Sequence, residues 1–180
     1  MSRLAKYPIL IPSNLKSGFE GSVLTLSNGA LSLSLNIHPS VQVDTVEVDN
    51  KSAFQCIKKF GRDGRFLGTT ARLISNMIEG LTKGYSTTLE IYGVGYRAKL
   101  KGRTLIVSVG KSHEEIYELP EGVEAILASS QTEIELKSHD KQLLGQSVAN
   151  ICALRKPDSY KGKGIRKRGQ QLKLKEVKKK

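Results

Sequence analysis

The apolar residues of this chain follow two different rhythms, and the change from one to the other happens twice. Near the start, Val23-Leu24-Thr25-Leu26 and Leu31-Ser32-Leu33-Ser34-Leu35 flank Ser27-Asn28-Gly29-Ala30. Leu31, Leu33 and Leu35 recur at every second position, which puts them on one face of a strand. Asn-Gly between two such runs predicts a tight hairpin, because both residues tolerate positive φ. A further strand is predicted over residues 41–48, with a bulge or break between Val43 and Val46 where the apolar phase slips. Then the rhythm changes. Ala71, Ile74, Met77, Ile78 and Leu81 step by three and four while Arg72, Ser75 and Glu79 fall off that stripe, the pattern of a helix with one buried face.

The second passage repeats the order. Alternating or apolar runs predict strands over residues 88–91, 96–100, 104–109, 116–119, 123–127 and 133–136. A helix follows, with Asp140 as its cap, Leu144, Val148, Ile151 and Cys152 as its stripe and Pro157 as its stop. Punctuation repeats as well. Gly21 answers Gly102 and Pro39 answers Pro120, both 81 residues apart, whereas Gly68 answers Gly145 at 77, as expected if one loop has changed length. These matches predict a duplicated unit of roughly 80 residues. A sheet with one apolar face must be covered, so the expected fold is α+β: two tandem units, each an antiparallel sheet with one helix packed on a face. The expected divisions are residues 1–82, residues 83–157 and a basic C-terminal extension over residues 158–180, with the linker near residues 82–86.

Charge adds a third segment to this picture. The net charge of +12 exceeds what solubility requires and implies a polyanionic partner. Its placement is lopsided. Residues 151–180 hold twelve Lys or Arg against Asp158 and Glu176, which leaves an excess of only two for everything before. Lys161-Gly162-Lys163-Gly164 sets two ammonium groups on a backbone that side chains do not shield, so phosphate oxygens could meet both charges and amide donors. Tyr160 could stack on an unpaired base or a sugar. Arg155, Lys156, Arg166, Lys167 and Arg168 add neutralising charge, and the run over residues 173–180 is expected to be ordered only by RNA.

Other chemistries find little support. His38, His113 and His139 stand outside any nucleophile or metal motif, so no catalytic residue is predicted. Cys56 and Cys152 are far apart without Cys-x-x-Cys spacing, which signals neither a disulfide framework nor a zinc site. Gly93-Val94-Gly95 is like the opening of a phosphate-binding glycine motif, but Ala98 occupies the third position and a strand pattern follows where a helix is required. That leaves a tight turn, or small residues that let a polyanion approach Tyr96 and Arg97. The apolar run Ile9-Leu10-Ile11 is too short for a signal peptide, and no stretch approaches the roughly 20 apolar residues of a membrane span, so a soluble cytoplasmic protein is expected. The basic tail offers no broad apolar face to a membrane surface.

Longer segments then carry a resemblance. "QTEIELKSHDKQLLGQSVANICALRKPDSYKGKGI", "GTTARLISNMIEG", "GVGYRAKLKG" and "MSRLAKYPILIP" resemble the family of bacterial-type ribosomal protein six of the large subunit, across essentially the whole chain. The resemblance implies a two-domain, non-enzymatic protein without a cofactor that binds large-subunit ribosomal RNA mainly through its C-terminal half, near the sarcin-ricin loop and the platform where translation factors dock. Tyr160, Lys161, Gly162, Lys163 and Gly164 match the family motif and are the first-rank RNA contacts. Gly93, Gly95, Tyr96 and Arg97 match a second family segment, and Ser112 and His113 a third. Two stretches depart from the pattern: Lys167-Arg168-Gly169-Gln170, where the family usually has Tyr and then an acidic residue, and the loop around Glu114-Glu115. The implied partners are large-subunit rRNA, neighbouring ribosomal proteins and translation factors, with no membrane and no second copy of the chain. A non-ribosomal RNA chaperone or regulator is the alternative.

Overall fold

A computed structural model of the chain describes residues 7–29, 31–48, 51–59 and 64–176. Ala30 of the predicted hairpin and residues 177–180 of the basic run lie outside them. The chain is α+β and divides into two compact units, residues 1–84 and 85–180.

The first unit contains β1 (Ile9–Leu10), β2 (Lys16–Glu20), β3 (Val23–Asn28), β4 (Leu31–Asn36), β5 (Val41–Val48), β6 (Lys51–Lys58) and α1 (Arg65–Thr82). They form two three-stranded antiparallel sheets, ordered β1-β6-β5 and β2-β3-β4. The expectation of a single sheet per unit is thus corrected. Ala71, Ile74, Met77, Ile78 and Leu81 of the predicted stripe are all buried, in a core with Leu24, Leu26, Val41 and Phe54. The hairpin closes as predicted in place but not in detail. Asn28 pairs with Leu31 as the last residue of its strand, and its Nδ2 donates to the Leu81 carbonyl at 3.0 Å, tying the turn to the end of α1.

No bulge interrupts β5. Its pairing with β6 runs unbroken from Val41 opposite Lys58 to Val48 opposite Lys51. The apolar phase slips because the strand has two partly covered faces. Val41 and Val43 pack on the core side, whereas Val46 stands opposite Ala53, which is fully buried on the other face.

The second unit contains β7 (Tyr85–Tyr92), β8 (Arg97–Lys101), β9 (Thr104–Ser108), β10 (Glu115–Glu118), β11 (Val123–Leu127), β12 (Glu133–Ser138), α2 (Lys141–Leu154) and β13 (Gly164–Lys167). Its sheets are ordered β10-β9-β8 and β11-β12-β7-β13. Leu144, Val148 and Ile151 of α2 are buried among Leu89, Leu105, Ile134 and Leu136, and Cys152 is half-buried. Burial pushes the thiols of both Cys56 and Cys152 up, away from the reactive thiolate form.

Asp140 caps α2 as its sequence position predicts, accepting at Oδ1 from the Gln142 amide at 2.8 Å and the Leu143 amide at 3.4 Å. Asp140→Ala is expected to lower stability by about 1 kcal/mol in a urea melt, the usual cost of a lost cap. An unchanged midpoint would show that other groups satisfy those amides. Among the described residues, the fourth strand of the second sheet has no counterpart in the first unit. It comes from the basic segment, for which no strand was predicted, and it pairs with β7.

Candidate nucleic-acid interface

Arg155 ends α2 in an extended conformation, and residues 158–163 fold on themselves around Asp158. The Asp158 amide donates to the Lys163 carbonyl at 2.9 Å, the Gly162 amide donates to the Asp158 carbonyl at 3.0 Å, and the Lys161 amide donates to Asp158 Oδ2 at 3.0 Å. That last bond, chiefly, holds the Asp158 carboxyl below the usual carboxylate range, with the Tyr160 and Ser159 amides and the Lys161 charge adding to it. Its contribution to the turn is therefore present above the ordinary carboxylate pKa and is lost as pH falls through the lowered one. The expectation that backbone amides of Lys161-Gly162-Lys163-Gly164 meet phosphate is corrected for Lys161 and Gly162: both amides are spent inside the turn, on Asp158. The ammonium ends are not spent. Lys161 and Lys163 are exposed, as are Arg155, Lys156 and Tyr160, while Gly162 and Gly164 are buried.

From the turn the chain enters β13, which runs antiparallel to β7 with Gly164 opposite Tyr92, Ile165 opposite Ile91 and Arg166 opposite Glu90. Ile165 points into the core and is fully buried. This register sets the Lys161–Lys163 turn beside the loop that opens at Gly93. A third loop joins them through one ring. A Cβ on Gly93 would stand 2.7 Å from the Tyr96 ring, and a Cβ on Gly110 would stand 2.9 Å from its other edge. Only glycine at both places lets the ring lie between the β7–β8 and β9–β10 loops. Tyr96 is accordingly half-buried packing, whereas Gly95, Arg97, Ser112 and His113 are exposed on the two loops it ties together. The three segments singled out in the sequence thus converge at one end of the second unit.

A family model described as ribosomal protein L6 matches residues 92–168, opening at Tyr92 and closing at Arg168. Similar proteins cover the chain from end to end. The large ribosomal subunit protein uL6 of Hahella chejuensis is 41% identical over 180 residues, spanning the whole of both chains. Its namesake from a Hydrogenobaculum species is 44% identical over 179 residues, 97% of this chain and 94% of that one. The chain belongs to the ribosomal protein L6 family. Members of the L6 family are structural, non-enzymatic proteins of the ribosome, in the cytoplasm.

In this L6-family chain Glu90, Glu114 and Glu115, near the three segments, are each met by a side chain of the protein itself. Glu115 Oε1 lies 2.6 Å from Lys111 Nζ and 3.3 Å from His113 Nε2, and Glu114 Oε1 accepts from Ser108 Oγ at 3.0 Å. The Lys111 bond, above all, pulls the Glu115 carboxyl below its ordinary value, so it stays ionised and neutralised by its own loop. On β7, Glu90 Oε2 lies 3.4 Å from Arg166 Nε and Glu90 Oε1 lies 3.9 Å from Arg168 Nε. Arg166 is mostly covered, with its guanidinium 4.4 Å from the centre of the Tyr92 ring. Sequence reasoning counted Arg166 among the free cations and passed over Glu90 and Tyr92. Alternation along residues 88–92 was the available signal for Glu90; nothing local reveals that β13 would lie against it.

Proposed function

We propose that this chain binds large-subunit ribosomal RNA mainly through its C-terminal half, as a structural constituent of the large subunit near the sarcin-ricin loop and the translation-factor platform. The observation that carries the reading is the convergence of the turn at Lys161–Lys163, the loop at Gly93–Arg97 and the loop at Ser112–His113 on one end of the second unit. Lys161, Lys163, Lys156 and Arg155 keep exposed charge there, while Glu90, Glu114 and Glu115 are tied back to protein donors. A polyanion meeting this surface would find cations free and carboxylates already occupied. The relatives are named as large-subunit proteins, which supports the assembly, and the chain's resemblance to that family supports the location.

Both units run through two antiparallel sheets to a helix, with β5-β6-β1 matched by β11-β12-β7 and β2-β3-β4 by β8-β9-β10. That correspondence supports an origin by duplication, after which β13 and the basic segment were added to the second copy alone. In this reading the first unit meets neighbouring proteins and passing translation factors, and RNA is left to the second.

Replacing Lys161 and Lys163 together with Ala is expected to weaken binding to a large-subunit rRNA fragment. The log-log salt slope should fall by roughly 1.4 to 1.8, at about 0.7 to 0.9 for each phosphate that is no longer neutralised. The melting temperature should move little, since neither ammonium group is hydrogen-bonded in the turn and the Lys161 charge is the smallest of the influences on Asp158. RNA protection mapped onto residues 21–83 would overturn the reading, as would a double variant that melts early.

A further inference from the structure

We propose that Tyr92 is a stacking platform for one unpaired nucleotide of the bound RNA. The proposal rests on the RNA-binding reading above and names what the groove beside the basic turn receives. Tyr92 ends β7 and is 54% exposed, although it sits between the strand and the turn at Lys161. It lines a groove with Lys161, Gly162, Arg166, Gln170 and Gln171, whose far wall is formed by Leu172 and Leu174 packed over Gly162. Leu174 is held there because the Lys175 amide donates to the Ser159 carbonyl at 2.9 Å.

The Arg166 guanidinium carbon lies 4.4 Å from the ring centroid, within cation–π range, and Glu90 Oε2 lies 3.4 Å from Arg166 Nε. The guanidinium orders the ring, and with Tyr92 54% exposed the ring keeps surface for a second flat group. A platform already ordered loses little freedom when a second flat group lies on it. The neighbouring groups select a nucleotide over an apolar ligand. Lys161 can neutralise the phosphate that accompanies the base, the Gln171 amide offers a donor and an acceptor to a base edge, and Gln170, whose Oε1 accepts from the Lys167 amide at 3.4 Å, offers its Nε2 donors. A paired base has both faces stacked in its duplex, so only an unpaired one can occupy the ring.

The test uses the full chain and two RNA hairpins of equal stem length, each closed by a non-nucleotide linker in place of a loop, one fully paired and one with a single bulged 2-aminopurine. Expected are a preference of at least about fivefold for the bulged hairpin, as stacking of one base on an aromatic ring gives, and quenching of its fluorescence on binding. Tyr92→Leu should abolish the preference and Tyr92→Phe should keep it, whereas the Lys161→Ala and Lys163→Ala double variant should weaken both hairpins alike. Equal affinities in the wild type, an unquenched base, or a preference that survives Tyr92→Leu would each overturn the platform while leaving electrostatic RNA binding intact. Failure of the wild type to bind either hairpin would overturn the RNA reading as well. Should the Leu variant not fold, the wild-type quench and the Phe variant decide.

Discussion

Ile165→Asp is expected to lower the stability of the second unit by at least about 4 kcal/mol, enough to leave much of it unfolded under native conditions. Ile165 has no exposed surface and packs in the cluster of Leu89, Ile91, Val148 and Ile151. An aspartate there would bury an unpaired carboxylate, which must either ionise without a partner or take up a proton at a cost of the same order. The strand offers no escape. Gly164 and Arg168 are each held to β7, the latter by its amide donating to the Thr88 carbonyl at 2.9 Å, and Ile165 itself donates to the Arg155 carbonyl at 2.9 Å. Urea melts followed by amide exchange along β13 and α2 would measure the loss. A variant that melts like the wild type would show β13 to be a detachable strap, and the convergence of the three segments would lose its anchor.

That expectation separates two things the sequence presents as one. A run of Lys and Arg among glycines reads as a solvated tail, and in charge the reading is sound for Lys161 and Lys163. Yet a single apolar residue in the run, Ile165, converts four positions into a sheet strand. One apolar residue sets no period, so pattern reasoning had nothing to detect. The same limit hides other strands. In β2 every residue is exposed, and in β6 Ala53 and Phe54 are both fully buried on opposite faces, so neither strand alternates. By contrast α1 and α2 bury one stripe each, and β9 alternates cleanly, with Leu105 and Val107 buried. Those elements were legible because one side of each meets the core and the other meets water.

Why each unit holds two sheets was not legible, because periodicity says which side chains are buried and not which strands become neighbours. The candidate site divides along the same line. Its cations are visible as composition. The direction of the Lys161 and Gly162 amides depends on Asp158, and the place of Tyr96 depends on Gly93 and Gly110, which meet across two loops only after folding. Tyr92 immediately precedes the glycine pair that drew attention, but its value comes from Arg166, which is opposite neither in sequence nor in pattern until β13 pairs with β7.

Gly164→Ala tests how much of this arrangement hangs on one close approach. Gly164 has φ +147, and a Cβ there would stand 2.7 Å from the Lys156 carbonyl oxygen and 2.7 Å from the Pro157 Cα. Both obstacles are backbone, so no side chain can swing aside, and the first turn of the segment must part from the start of β13. Backbone strain of this kind costs about 1 to 3 kcal/mol by itself, and the overlap adds to it, so a loss of at least about 3 kcal/mol is expected. Gly169→Ala is the control within the same segment. Its φ is +78 but nothing lies within 4 Å of the added carbon, so only the cost of a positive φ remains, about 1 kcal/mol. If Lys161-Gly162-Lys163-Gly164 served chiefly to bare the backbone for phosphates, Gly164→Ala would weaken RNA binding and leave the melt unchanged. The buried position of Gly164 predicts the opposite order: stability falls first, and RNA binding is lost because Lys161 and Lys163 no longer stand beside the Gly93 loop. Urea melts of the two variants, followed by RNA binding measured without denaturant at a temperature where both remain folded, would distinguish these outcomes.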